Sequence, residues 1–223
     1  SVITVKPNVQ NNELTINDNQ ALEQLKDNGT LVVETKETSA ILPLNAEEIQ
    51  ILKAKNAVIE VKNDDISVQI PASILPSGQA KIEFNKFANY EHAVSAVYEF
   101  HIYDENGKKV TQFNEPVTLQ FVVNTDDTDN LNVYYYDEAK GQWELVPGAT
   151  YEDGVVSVQA DHFSVFTVSN IDLTKVSADE KGPKDGLTLP NTATNQYEFL
   201  LFGAVLLITA SILYVYQRKK LVD

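Results

Sequence analysis

The stretch Val94-Ser95-Ala96-Val97-Tyr98-Glu99-Phe100-His101-Ile102 decides the fold. Val94, Ala96, Tyr98, Phe100 and Ile102 recur at every second position, the period at which a strand sends side chains to one face. Asn106-Gly107 follows and offers the positive φ angles of a tight hairpin, so a returning antiparallel strand is expected.

Working outward, the same period continues on both sides. Downstream it runs through Val117/Leu119/Phe121/Val123 and Leu131/Val133/Tyr135. Beyond Gly141 it resumes at Trp143/Leu145, and after the two-residue turn signal Asp153-Gly154 at Val156/Val158 and Phe163/Val165. Upstream it is carried by Ile59/Val61, Ile66/Val68/Ile70 and Ile82/Phe84. Strands this closely spaced, with Pro71, Pro76, Pro116 and Pro147 confined to their ends, predict an antiparallel β-sandwich over residues 58–170. Residues 1–57 read as a mixed lead-in, with strands at 2–5, 13–16 and 31–34. A short helix capped by Asp18 is expected to run to Lys26 with Leu22 and Leu25 on one face, ending at Asn28-Gly29. Asn45 and Glu48 have capping-box spacing ahead of Ile49 and Leu52, which predicts a second helix over 46–54. The fold class is mainly β, with one or two short N-terminal helices.

The formal net charge is −15, and residues 1–170 carry all of it. A surface of this sign repels phosphate backbones, which argues against a nucleic-acid partner. Cysteine is absent, excluding a disulfide framework, a thiolate metal site and a cysteine nucleophile. The chain contains no methionine and begins at Ser1 without an export signal, which reads as a fragment or as a mature chain cut from a longer precursor.

Past residue 170 the text changes. Residues 171–188 are rich in Lys, Asp, Glu, Gly and Pro and read as a flexible linker. Phe199 to Tyr216 is apolar and uncharged, roughly 27 Å long as a helix at about 1.5 Å per residue, which matches a bilayer's hydrocarbon core. With Tyr197 before it and Tyr214 and Tyr216 at its far end, it predicts a single transmembrane helix over 197–217. The basic residues Arg218, Lys219 and Lys220 lie in a short tail, 218–223, and should stay cytoplasmic.

Leu189-Pro190-Asn191-Thr192-Ala193, the apolar span and the basic tail together resemble the cell-wall sorting signal of Gram-positive surface proteins, the substrates of sortase transpeptidases. Leu189, Pro190, Asn191 and Thr192 match the family pattern, and Ala193 stands where Gly is usual, as in the Leu-Pro-Asn-Thr-Ala variant of a separate sortase class. The resemblance implies that a sortase cysteine attacks the Thr192 carbonyl, releases everything from Ala193 onward, and passes Thr192 to an amine of the peptidoglycan precursor. Thr192 is then a substrate residue. The implied partners are a sortase, the peptidoglycan precursor and, before cleavage, the membrane; the implied location is secreted and anchored in the cell wall. Pro190 restricts its own φ and pushes Leu189 toward extended backbone, which suits a peptide gripped in an enzyme groove.

Three constellations within 1–170 invite chemistry. Tyr134, Tyr136 and Trp143 fall on the face opposite Tyr135; exposed, they would stack on a glycan or anchor a host protein, whereas a second buried face explains the same pattern. Asp161-His162-Phe163-Ser164 resembles the His-Phe-Ser junction of self-cleaving β domains, which implies attack of the Ser164 hydroxyl on the Phe163 carbonyl with His162 assisting. A plain last strand accounts for these residues equally and is the expected reading. Asp126-Asp127-Thr128-Asp129-Asn130 lacks the glycine and the ligand spacing of a calcium loop and is expected to be a solvated turn. His92, His101 and His162 show no metal-ligand spacing. The chain is therefore read as a non-enzymatic stalk and anchor, with no metal or cofactor. Its rivals are an adhesin or glycan-binding module, and the tail of an exported enzyme, such as a nucleotidase, whose catalytic domain lies upstream.

Overall fold

The structure is a computed structural model that describes residues 1–16 and 19–176. Its strands form two sheets. In space, the first runs β1(Val2–Val5), β4(Thr30–Glu34), β6(Val58–Lys62), β7(Ile66–Pro71), β10(Val117–Val122), β14(Val155–Ala160), β13(Thr150–Glu152). The second runs β12(Gln142–Val146), β11(Asn132–Asp137), β15(Val165–Ser169), β9(Tyr98–Asp104), β8(Ala80–Lys86), β5(Ser39–Leu44), β3(Glu13–Thr15), β2(Asn8–Gln10). The alternation that predicts strands also fills the core. Tyr98, Phe100 and Ile102 of β9 and Val117, Leu119 and Phe121 of β10 are all buried in one apolar cluster fed by both sheets. The result is a β-sandwich, as expected.

The division at residue 57 does not hold, because the lead-in builds both sheets. It supplies β1 and β4 to the first and β2, β3 and β5 to the second, and its apolar residues share the same cluster. The ladders here are not purely antiparallel either: β1 with β4, β4 with β6, and β3 with β5 pair parallel. Parallel neighbours need long returns, and this is where the helices sit. α1(Asn19–Gln24) stops short of Lys26, and Asp18 lies outside the described residues. α2(Ala46–Ala54) has the predicted capping box: Glu48 N donates to Asn45 Oδ1 (2.9 Å) and Asn45 N to Glu48 Oε2 (2.7 Å), with Ile49 and Leu52 buried beneath.

β5 escaped the sequence reading because Pro43 sits within it. Ile41 N–H points to the β3 side, where it donates to Asn12 O, so Pro43 two residues on faces that side as well. There the ladder to β3 has already ended at the Glu13–Ile41 pair, and no N–H is required. Asp153 (φ 47°) and Gly154 (φ 83°) close the β13–β14 hairpin as predicted. The Asn106-Gly107 turn is not a full hairpin. Gly107 takes φ 75° and Asp104 Oδ1 accepts from Asn106 N and Lys108 N, but only Tyr103 and Lys109 pair across it before the chain crosses to β10 in the other sheet.

β15 is buried along its whole length, so both of its faces are covered. Phe166 and Val168 join the main core, while Val165 belongs to a second cluster with Val97, Tyr134, Trp143 and Leu173. Leu173 lies in a 3-10 turn, Leu173–Lys175, and has no exposed surface. The folded module therefore reaches Val176, and the first part of the expected linker 171–188 is packed against it.

Candidate functional site

The sorting residues Leu189, Pro190, Asn191, Thr192 and Ala193, the span 197–217 and the basic residues Arg218, Lys219 and Lys220 lie outside the described residues. Among the described residues no helix is long and apolar enough to cross a membrane.

The aromatic trio is brought together, but not as an open platform. Tyr136 and Trp143 pair across β11 and β12, with ring centroids 5.3 Å apart in an edge-on arrangement, and Tyr90 lies 5.5 Å from Trp143 on the other side. Trp143 is fully buried and Tyr134 nearly so, which is the second buried face, one of the two readings the sequence left open. Phe87, Tyr90 and Ala93 cover it from the loop before β9, and Leu173 and Val176 cover it from the chain after β15. Burial, then the Asp172 carboxylate, pushes the Tyr134 hydroxyl above its ordinary range; the Leu173 backbone and the Lys175 charge oppose this more weakly.

The His-Phe-Ser junction enters β15. Phe163 is packed between Phe100 (5.5 Å) and Phe113 (5.0 Å), which fixes the approach to the strand. Ser164 Oγ donates to the Tyr136 carbonyl (2.9 Å), and His162 Nδ1 lies 2.8 Å from Asp161 Oδ1, with its ring edge-on to Tyr135. The His162 hydrogen bond holds the Asp161 carboxyl below the usual range. Residues 161–164 all keep negative φ. Hydroxyl and imidazole each have a partner that serves a strand entry.

Beside this junction runs an open groove of about 340 Å³, where His101, read from the sequence only as lacking metal-ligand spacing, meets Glu99 and Lys109. His101 Nε2 lies 2.9 Å from Glu99 Oε1 and 3.2 Å from Lys109 Nζ. A protonated Nε2 suits Glu99 and a bare one suits Lys109, so the proton's position decides which contact is made. Burial pushes the Glu99 carboxyl up, but the His101 hydrogen bond with the His101 and Lys109 charges outweighs it, leaving the carboxyl below its usual range. Burial, reinforced by Glu83 and Glu99, pushes the neighbouring Tyr103 up to about 12. Glu99 and His101 stand two apart on one strand face; that spacing was the available signal.

The loop Asp126 to Asn130 spends its polar groups on itself and on the chain after β15. Asp127 Oδ1 accepts from Asp129 N (3.2 Å) and Asp127 Oδ2 from Asn170 Nδ2 (3.1 Å). Among the described residues no three His, Asp or Glu side chains converge as metal ligands.

Residues 186–220 match the family described as the LPXTG cell wall anchor motif. The motif marks a cell-wall-attached surface protein and implies sortase processing and attachment to peptidoglycan. The chain is also similar to a putative membrane protein of Evansella cellulosilytica, 28% identical over 247 residues, covering 91% of this chain and 37% of that protein. A second relative is the trifunctional nucleotide phosphoesterase protein YfkN of Bacillus subtilis, 21% identical over 236 residues, covering 80% of this chain and 16% of that one. The chain thus spans well under half the length of the curated relatives it matches.

Proposed function

We propose that the chain is the stalk and anchor of a larger surface protein, cut by a sortase between Thr192 and Ala193 and joined through the Thr192 carboxyl to a peptidoglycan amine. The match of 186–220 to the anchor motif carries this reading. The β-sandwich is a spacer that holds whatever precedes it away from the envelope, and the apolar span keeps the scissile peptide at the membrane until it is processed. Fractionation tests the parts separately. Thr192→Ala or Pro190→Ala should leave the chain uncleaved and extractable by detergent, because the span remains but the peptide is wrong. Deletion of residues 199–220 should instead release soluble protein into the medium. Equal wall attachment in all three variants would overturn the assignment.

The likeness to YfkN supports a second reading of the parent protein, as an exported enzyme of nucleotide processing whose catalytic part lies upstream. On either reading the chain itself is not an enzyme. Intact mass of the purified protein should give one species; a fragment beginning at Ser164, lost in Ser164→Ala, would contradict that.

A further inference from the structure

We propose that residues 171–176 are a releasable strap, clipped by Leu173 and Val176 over the recess of Tyr134 and Trp143, and that a pull on the C-terminal tether opens it before the sandwich yields.

The bonding around the strap favours separation at this point. Up to Ile171 the chain is tied to the module by polar contacts: Ser169 Oγ donates to His92 O (2.7 Å), Ile171 N donates to Ser169 Oγ (3.2 Å), and Asn170 is held by Asp127. From Asp172 onward the hydrogen bonds turn inward, apart from the one between the Leu173 backbone and the Tyr134 hydroxyl. Thr174 N and Thr174 Oγ1 donate to Asp172 Oδ1 (3.1 and 2.6 Å), Lys175 N to Asp172 O (3.2 Å) and Val176 N to Leu173 O (3.3 Å), and Lys175 Nζ pairs with Asp172 (2.8 Å). These bonds give the strap its shape and survive its lifting as a unit. What holds it down is mainly apolar, the fully buried Leu173 and the partly buried Val176, with one polar tie, the hydrogen bond between the Leu173 backbone and the Tyr134 hydroxyl.

The closed state also carries a cost. Among the described residues the Trp143 indole N–H is buried without an acceptor, a debt that water would settle once the strap lifts. Beneath the strap, by contrast, β15 is hydrogen-bonded on both sides and buried throughout. Covalent continuity brings any pull on Thr192 to residue 176 first, so the weakly held segment meets the load ahead of the strand. Opening would present Tyr134 and Trp143 of the aromatic trio only under load. That the load comes from the wall rests on the anchoring reading; the strap itself does not.

Trp143 is the sole tryptophan and reports on the recess directly. In the full chain in detergent, Leu173→Asp should shift Trp143 emission to the red and raise acrylamide quenching several-fold, while the far-ultraviolet spectrum of the β-sandwich is unchanged. Unaltered emission would overturn the proposal, and so would loss of the whole sandwich, since the strap would then be inseparable from the core. Because the chain lacks cysteine, Ser1→Cys and Thr192→Cys supply clean handles for magnetic tweezers. The expected record is a reversible low-force lengthening ahead of unfolding, at most about 20 Å, the contour of six residues at about 3.5 Å each, and shorter while the turn from Asp172 to Val176 holds. Leu173→Asp should abolish this step, and unfolding of the unsubstituted chain without it would contradict the inference. Neither measurement involves a sortase, so the failure of one reading is distinguishable from the failure of the other.

Discussion

The molecule closes two apolar clusters by different means. The main core lies between two sheets whose strands seal it from both sides, and it draws residues from β1 to β15. The second lies on the outer face of β11, β12 and β15 and is roofed by the loop carrying Tyr90 and by the segment carrying Leu173. A core sealed by ladders opens only with the fold, whereas one roofed by irregular chain can open locally at lower cost. The difference sets a ladder-sealed sandwich against a recess that irregular chain covers at the end of the described residues.

The comparison can be broken most decisively in the main core. Phe121→Ala should cost about 3–5 kcal/mol, because Phe121 is fully buried between β7 and β14 and its removal leaves a cavity. Denaturant unfolding followed by circular dichroism should show this loss, with Trp143 emission changing at or before the same midpoint. Trp143 emission that outlasts the loss of the sandwich would show the second cluster to be an independent domain rather than an annex of the core.

A smaller effect is expected where the two sheets are tied by polar groups. Tyr98 Oη donates to Asp65 Oδ2 (3.0 Å) and accepts from Asn63 Nδ2 (3.1 Å), while Lys86 Nζ reaches the same Asp65 oxygen (2.7 Å). Tyr98→Phe should destabilise by about 1–3 kcal/mol, since Asn63 loses a buried acceptor. Smaller again, Asn45→Ala removes the cap of α2 and should cost about 1 kcal/mol, leaving Trp143 emission as it was.

The subtlest test uses pH. The Tyr134 hydroxyl is held above its ordinary value by burial and by Asp172, so its neutral form favours the closed strap. That contribution is complete below the unfolded value of about 10 and is lost as pH rises through the folded one. Trp143 emission should therefore shift red in alkali, and Tyr134→Phe should remove that shift while preserving emission at neutral pH. Persistence of the shift in the variant would assign it elsewhere.

Much of the sandwich was legible because Tyr98, Phe100 and Ile102, or Val117, Leu119 and Phe121, repeat at the strand period in long runs. The capping box at Asn45 and Glu48 and the turn at Asp153-Gly154 are short-range signals that tertiary packing did not override. β5 was hidden by Pro43, whose tolerance depends on a partner strand ending nearby, a fact with no local trace. The parallel pairing of β1, β4 and β6 likewise follows from long-range assembly. Alternation put Tyr134 and Trp143 on a common face, but their covers, Tyr90 and Leu173, are distant in sequence. Composition marked 171–188 as linker; the apolar pair Leu173 and Val176 within it was the one local hint of a docked segment.

Mass spectrometry of wall digests tests the central claim most directly. In cells with an active cognate sortase, the account predicts Thr192 as the last residue, joined through its carboxyl to a peptidoglycan amine. Wall-released protein that still carries Ala193 and the residues beyond it would contradict it.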